Sequence, residues 1–262
     1  MKTTLILVAG NLVLSILGLE LFGENRTNHK LRDFEILNFI FFGMLFLFIS
    51  LLHITEIKID PVMTSKFSLD FTRSVYNMEG NIVAFFQSWT NPFLDYYMVF
   101  MYMFGFSFLV YFTPVLYIFS KDLKALKLAV VIYGIIVAVA IPFYLFFPVN
   151  DVWWASQNYP WYNGKAVAFR LEEIWPGITN SFFSFTTLNN CFPSLHCSIS
   201  MAMAATAWIM GYKRFKIAAT VIALSIPVAT LYLGIHWFTD VVGGELLALA
   251  AVIISVKIVG KT

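Results

Sequence analysis

Long apolar runs separated by short polar breaks make up most of this chain. Seven such runs stand at about 3–22, 35–55, 93–119, 125–148, 194–211, 216–235 and 238–258. At about 1.5 Å per helical residue, nearly all are long enough to cross about 30 Å of hydrocarbon. The run at 194–211 is the shortest. The pattern predicts an all-α, polytopic helical membrane protein with about seven transmembrane helices. It reads as a single membrane domain over 1–262, with an extra N-terminal span in 1–30 and a six-span core over 35–258. Met1-Lys2 before an apolar run also has the form of a secretory signal. Glu20 stands where cleavage wants small residues, so the run is read as a retained span. Two connections are long. Within 56–92, residues 80–91 read as a short amphipathic helix lying in the interface, broken at Asn91-Pro92. The other, 149–193, is crowded with Trp153, Trp154, Tyr159, Trp161, Tyr162 and Trp175. Such rings form an aromatic belt at headgroup level, or a lid beside a site.

Composition sharpens this picture. Only 12% of residues are charged, about half the share of a soluble domain, so lipid is a partner of the whole chain. A net charge of +2 is too small to suggest nucleic acid. Where the charges sit says more. Arg26, Lys30, Arg32, Lys121, Lys124, Lys127, Lys213, Arg214, Lys216, Lys257 and Lys261 are eleven of the seventeen basic residues, and they fall in four short stretches on one side. The positive-inside rule makes that side cytoplasmic. The N-terminus, loops 56–92 and 149–193 and the turn at 235–238 are then extracytoplasmic.

The candidate chemistry lies on that outer side. Pro193-Ser194-Leu195-His196 opens one apolar run, and His236-Trp237-Phe238-Thr239-Asp240 joins two others. Two spans separate the motifs, so both histidines return to the same face. His236 and Asp240, four apart, share a face of a helix. A carboxylate there can hold one ring nitrogen and leave the other basic, as a nucleophile or general base. His196 is placed for general acid work. Two helix N-termini near one pocket would favour an anion such as phosphate. An imidazole could then attack phosphorus directly and form a phosphohistidine, with no metal or cofactor needed. Cys191 and Cys197 flank His196 without a metal-binding spacing; on an oxidising face they could form a disulfide. Other classes stay open. His53 ends its span on the same side, so three histidines and Asp240 could hold zinc. A lipid transporter without chemistry is another reading, although the spans carry almost no ionisable groups at mid-depth.

The sequence Pro-Ser-Leu-His, about forty residues, then Tyr-Leu-Gly-Ile-His-Trp-Phe-Thr-Asp-Val-Val-Gly-Gly resembles the type 2 phosphatidic acid phosphatase superfamily over about 149–250. The resemblance implies a six-helix phosphatase-type core, His236 as nucleophile, Asp240 as its orienting carboxylate, His196 as acid and Ser194 as a phosphate ligand. The chain departs from the family pattern at two places. Ala229 and Thr230 stand where the family has Ser-Arg. Its first motif has only Lys165 and Arg170 as nearest candidates, at another spacing. Thr230, Lys165 and Arg170 are therefore candidate substrate ligands. The missing Arg is similar to the branch that includes inositol phosphorylceramide synthase. That likeness implies transfer of a phosphodiester headgroup from a phospholipid, with a polyol or alcohol as acceptor. A phosphomonoesterase acting on phosphatidic acid or a polyprenyl phosphate is the alternative. Gly243-Gly244 would permit close helix packing.

Overall fold

The computed structural model describes residues 2–24, 26 and 31–260. Lys30 and Lys261, which entered the charge count, lie outside the described residues. Among the described residues, seven apolar helices organise the fold: α1 (Lys2–Phe22), α2 (Asp33–Phe67), α3 (Pro92–Phe119), α4 (Leu123–Phe146), α5 (Leu195–Ile209), α6 (Phe215–Tyr232) and α7 (Phe238–Val259). Among the described residues there is no β-sheet, only an isolated bridge between Val149 and Asn190. Six of the seven helices are long and apolar enough to cross a membrane. The exception is α5, whose 15 residues span about 22 Å, short of the hydrocarbon thickness. It lies in the middle of the bundle, against α3, α4, α6 and α7.

Local signals set several boundaries. Asn91 caps α3 by accepting from the Leu94 N–H at 3.0 Å, with Pro92 in the first turn. Asp122 caps α4 through the Ala125 N–H at 2.9 Å. The main difference from the sequence pattern is α2, which continues through Pro61 to Phe67 instead of ending near 55. Its apolar periodicity stops at His53, but its buried face goes on with Glu56, Asp60 and Thr64, so the helix outlasts its hydropathy. The expected helix over 80–91 is broken. Short helices cover Thr72–Glu79 and Ile82–Phe86, a 3₁₀ turn covers Gln87–Trp89, and Gly80 lies between the helices at φ +62°.

The basic loops gather at one end of the bundle. The Arg26 guanidinium donates to the carbonyls of Met210 (3.1 Å) and Gly211 (2.9 Å) and lies over the Tyr212 ring, and its backbone N–H reaches Ser120 O. Arg214 reaches Leu21 O. The other end carries the start of α5, the end of α6, the start of α7 and the long loop 147–194.

Candidate functional site

His236 stands in the short link between α6 and α7, and the chain fixes that link from both sides. Gly234 turns the backbone at φ +78°; a Cβ there would lie 2.5 Å from Ala168 O, so glycine is required. The N–H groups of Ile235 and His236 point back to Thr230 O at 3.0 and 3.4 Å. From the other side, the short helix Val152–Asn158 donates its first N–H groups to the link: Val152 to Ile235 O at 3.4 Å and Trp153 to Gly234 O at 2.9 Å. Trp237, wholly buried, donates its indole N–H to Asn150 O at 2.8 Å. Asp240 then falls in the first turn of α7. Its Oδ2 accepts from the Trp237 N–H at 2.8 Å and lies 3.4 Å from His236 Nδ1. Both side chains are buried, His236 at 4% exposure and Asp240 at 0%. His236 Nε2 and Asp240 Oδ1 have no hydrogen-bond partner.

His196 approaches from α5, with its ring centre 5.7 Å from that of His236. Ser194 caps α5, its Oγ accepting from the Cys197 N–H at 3.3 Å, and its own N–H donates to Asp240 O at 3.1 Å. One backbone bond therefore joins the two motifs. Gly244 lets them meet: a Cβ at that position would lie 2.5 Å from Ser194 O. Gly243 sits as closely against the Phe192 ring, so the glycine pair does permit close packing. Pro193 lies just before the cap rather than in the first helical turn, and its carbonyl accepts from the Tyr144 hydroxyl at 2.9 Å. The partly exposed His196 ring is held between Tyr102 (centroids 4.6 Å) and Phe106 (4.3 Å). Tyr102 comes from a π-helical turn, Met101–Gly105, inside α3. Such turns shift the register of a helix face. The periodicity of the sequence gives no sign of this one, and these two aromatic neighbours are among the site residues that sequence reasoning missed.

The anion-binding elements differ from expectation. Glu79 occupies the start of α7, accepting from the Phe238 (3.0 Å) and Thr239 (2.7 Å) N–H groups, and burial raises the pKa of its carboxyl. Of the two helix N-termini expected near an anion, that of α7 is therefore taken by a carboxylate, and that of α5 carries the Ser194 cap. Thr230 is buried beneath the link, and its hydroxyl donates to Pro227 O at 2.8 Å. Lys165 is exposed on the loop. Arg170 pairs with Asp95 at 2.5 Å and Glu173 at 3.2 Å. Asp95 also accepts from the Tyr232 hydroxyl at 2.6 Å. Thus His196, His236, Asp240 and Ser194 come together, whereas Thr230, Lys165 and Arg170 are engaged or placed elsewhere.

Cys191 and Cys197 are free and buried, so no disulfide braces His196. The Cys191 thiol instead donates to Asp151 Oδ1 at 2.9 Å, and Trp153 Nε1 donates to Oδ2 at 3.0 Å. Burial raises the Asp151 pKa to about 7, with the Cys191 bond and the charge of His236 opposing it. Among the described residues one group of possible metal donors gathers, Cys191, His236 and Asp240, with donor atoms within 4.8 Å of one another. It includes neither His53 nor His196, so the four-residue zinc set read from sequence is not assembled.

Residues 155–262 match the family model described as PAP2 superfamily. The matched segment takes in His196, His236 and Asp240, and it extends past 250, where the motif resemblance ended. No curated protein and no solved structure matches the chain. The match and the apolar helices together fit an integral membrane phosphatase.

Proposed function

We propose that this protein is a membrane lipid phosphatase or phosphotransferase that works through a phosphohistidine on His236. The observation that carries the reading is the orphaned His236 Nε2, buried, backed by Asp240 across Nδ1 and 5.7 Å, ring centre to ring centre, from His196. Nε2 attacks the phosphorus of a phospholipid, and the P–O bond to the leaving group breaks. His196 gives its proton to the departing alkoxide. Asp240 stabilises the cationic ring, whose Nδ1 keeps its proton. In the second step His196, now neutral, takes a proton from water or an acceptor hydroxyl as that oxygen attacks phosphorus, and His236 leaves unchanged. Water gives hydrolysis and an alcohol gives transfer. The start of α5, with the His196 N–H beside the Ser194 cap, suits a phosphoryl oxygen.

The favoured substrate is a phosphodiester. With Thr230 turned to its own helix and Arg170 paired to Asp95, no guanidinium fork meets the phosphate. A singly charged diester asks less of such a pocket than a dianionic monoester. The outer face is favoured for the site because the basic loops gather at the opposite end. The test is turnover of defined phospholipids by the purified protein. His236→Ala and His196→Ala should each abolish product while the fold survives. Asp240→Asn should lower kcat by about two to four orders of magnitude. Acid-labile phosphate should accumulate on the wild type and be absent from His236→Ala. Near-normal turnover in His236→Ala rejects the assignment, as does phosphatidic acid being turned over much faster than any diester for the substrate. Loss of activity to a chelator would favour the Cys191–His236–Asp240 group as a metal site instead.

A further inference from the structure

The far part of α2 carries buried polar groups that the proposed reaction does not use. At 35 residues the helix is about 52 Å long, well beyond a hydrocarbon span. Its inner face is apolar at Phe39 and Phe46, then polar at Ser50, His53, Glu56, Asp60 and Thr64, spaced by three or four residues. Three of these have structural roles: the Ser50 hydroxyl donates to Phe46 O at 3.0 Å and lies 3.2 Å from the Tyr133 hydroxyl. Asp60 Oδ2 accepts from the Thr187 hydroxyl at 2.9 Å, and Thr64 accepts from the Asn189 side chain at 3.0 Å. Both bonds anchor the loop that continues into Cys191 and His196.

Glu56 has no such role. It is 5% exposed, and neither carboxylate oxygen has a hydrogen-bond partner. His53 Nδ1 lies 3.4 Å away in an i, i+3 ion-pair position, and it has no hydrogen-bond partner either. Asp60, wholly buried, leaves Oδ1 open. A buried acceptor without a donor is costly, and ionisable groups along a membrane helix tend to serve a ligand. The stripe also adjoins the reaction site. α2 packs on α4, and the Tyr144 hydroxyl of α4 donates to Pro193 O at 2.9 Å, three residues before His196.

We infer that His53, Glu56 and Asp60 form a subsite for the hydroxyl groups of a polyol, next to the phosphoryl-transfer histidines. The inference rests on the proposed phosphotransfer reading and names the group that reading leaves open. Open carboxylate oxygens accept from hydroxyls and repel phosphate, so the subsite takes the uncharged part of the substrate. A metal ion fits less well, because the donor atoms of these three residues do not gather within the 4.8 Å that the Cys191 group achieves. The polyol could arrive as the headgroup of the donor lipid or as a free acceptor.

Two kinetic arms separate those sources. In mixed micelles, Glu56→Gln and Asp60→Asn should each lower the kcat/KM preference for phosphatidylinositol over phosphatidylethanol by about tenfold, mostly through KM, if the headgroup binds here. With phosphatidylethanol as donor, they should instead raise the KM for free myo-inositol as acceptor if the acceptor binds here. A change in either arm supports the subsite; equal effects on every donor and no effect on acceptor KM overturn it. A binding arm needs no catalysis. Saturating myo-inositol should raise the unfolding midpoint of His236→Ala protein, and Glu56→Gln added to that background should remove the shift. No shift in His236→Ala, together with no change in either kinetic arm, overturns the subsite. Undiminished turnover by His236→Ala defeats the phosphohistidine reading alone.

Discussion

At the scale of single residues, the site sets ionisable groups in surroundings that oppose ionisation. Asp151 is the clearest case outside the spans. It is buried against Cys191 and Trp153, and its pKa rises from an ordinary 3.8 to about 7. Below pH 4 it is neutral in both folded and unfolded chains. Between about pH 4 and 7 the folded chain holds a proton that the unfolded chain has released, so stability falls as pH rises through that range. Above about 7 this contribution is gone. Asp151→Asn should therefore flatten the fall of the unfolding midpoint between pH 4 and 7, measured by scanning calorimetry in detergent. An unchanged slope would mean that Asp151 is ionised throughout. Because the charge of His236 acts on Asp151, the same substitution should also move the pH optimum of turnover.

At the scale of elements, glycines and short turns decide where the histidines stand. Gly234→Ala combines a left-handed φ with a clash against Ala168 O. It should cost about 1–3 kcal/mol and should also lower kcat, because the shift falls two residues from His236. Gly211 has a similar φ of +72° but open space around it, at the other end of the bundle. Gly211→Ala should lower the unfolding midpoint and leave kcat unchanged. Equal kcat in both variants would show that the link does not need its observed shape. The same scale shows what the sequence could tell. The spans were legible because lipid demands long apolar runs, and the His236–Asp240 pair because a spacing of four fixes a face. The meeting of His196 with His236 followed from counting spans. The continuation of α2 was hidden because a buried polar face breaks the hydropathy signal without breaking the helix. The occupation of the α7 start by Glu79 was hidden because a contact between residues 79 and 239 leaves no periodic trace. Arg170 was legible as a cation near the site in sequence, but not as the partner of Asp95, seventy-five residues away.

At the scale of the whole molecule, the ends of the bundle differ in chemistry. One end joins α1, the α3–α4 turn and the α5–α6 turn through Arg26 and Arg214, with Lys121, Lys124, Lys213 and Lys216 close by in sequence. The other carries the histidines beneath a layer of aromatic rings, in which Tyr159 and Trp161 stack at 4.6 Å and Tyr76 packs on Tyr162 at 4.5 Å. Basic loops are retained on the cytoplasmic side during insertion, and tyrosine and tryptophan favour the headgroup level. The first tendency supports the proposed outward orientation of the site, toward outer-leaflet phospholipids; the aromatic layer marks headgroup depth on either side. Cysteine labelling can test this directly, since Cys191 and Cys197 are buried and contribute little background. Asn163 and Lys213 are both exposed, at opposite ends. A membrane-impermeant maleimide added to intact cells should label Asn163→Cys. It should reach Lys213→Cys only after the membrane is opened. The reverse pattern would turn the histidines to the cytoplasm, and candidate donors and acceptors would then have to be sought among inner-leaflet lipids and soluble cytosolic polyols.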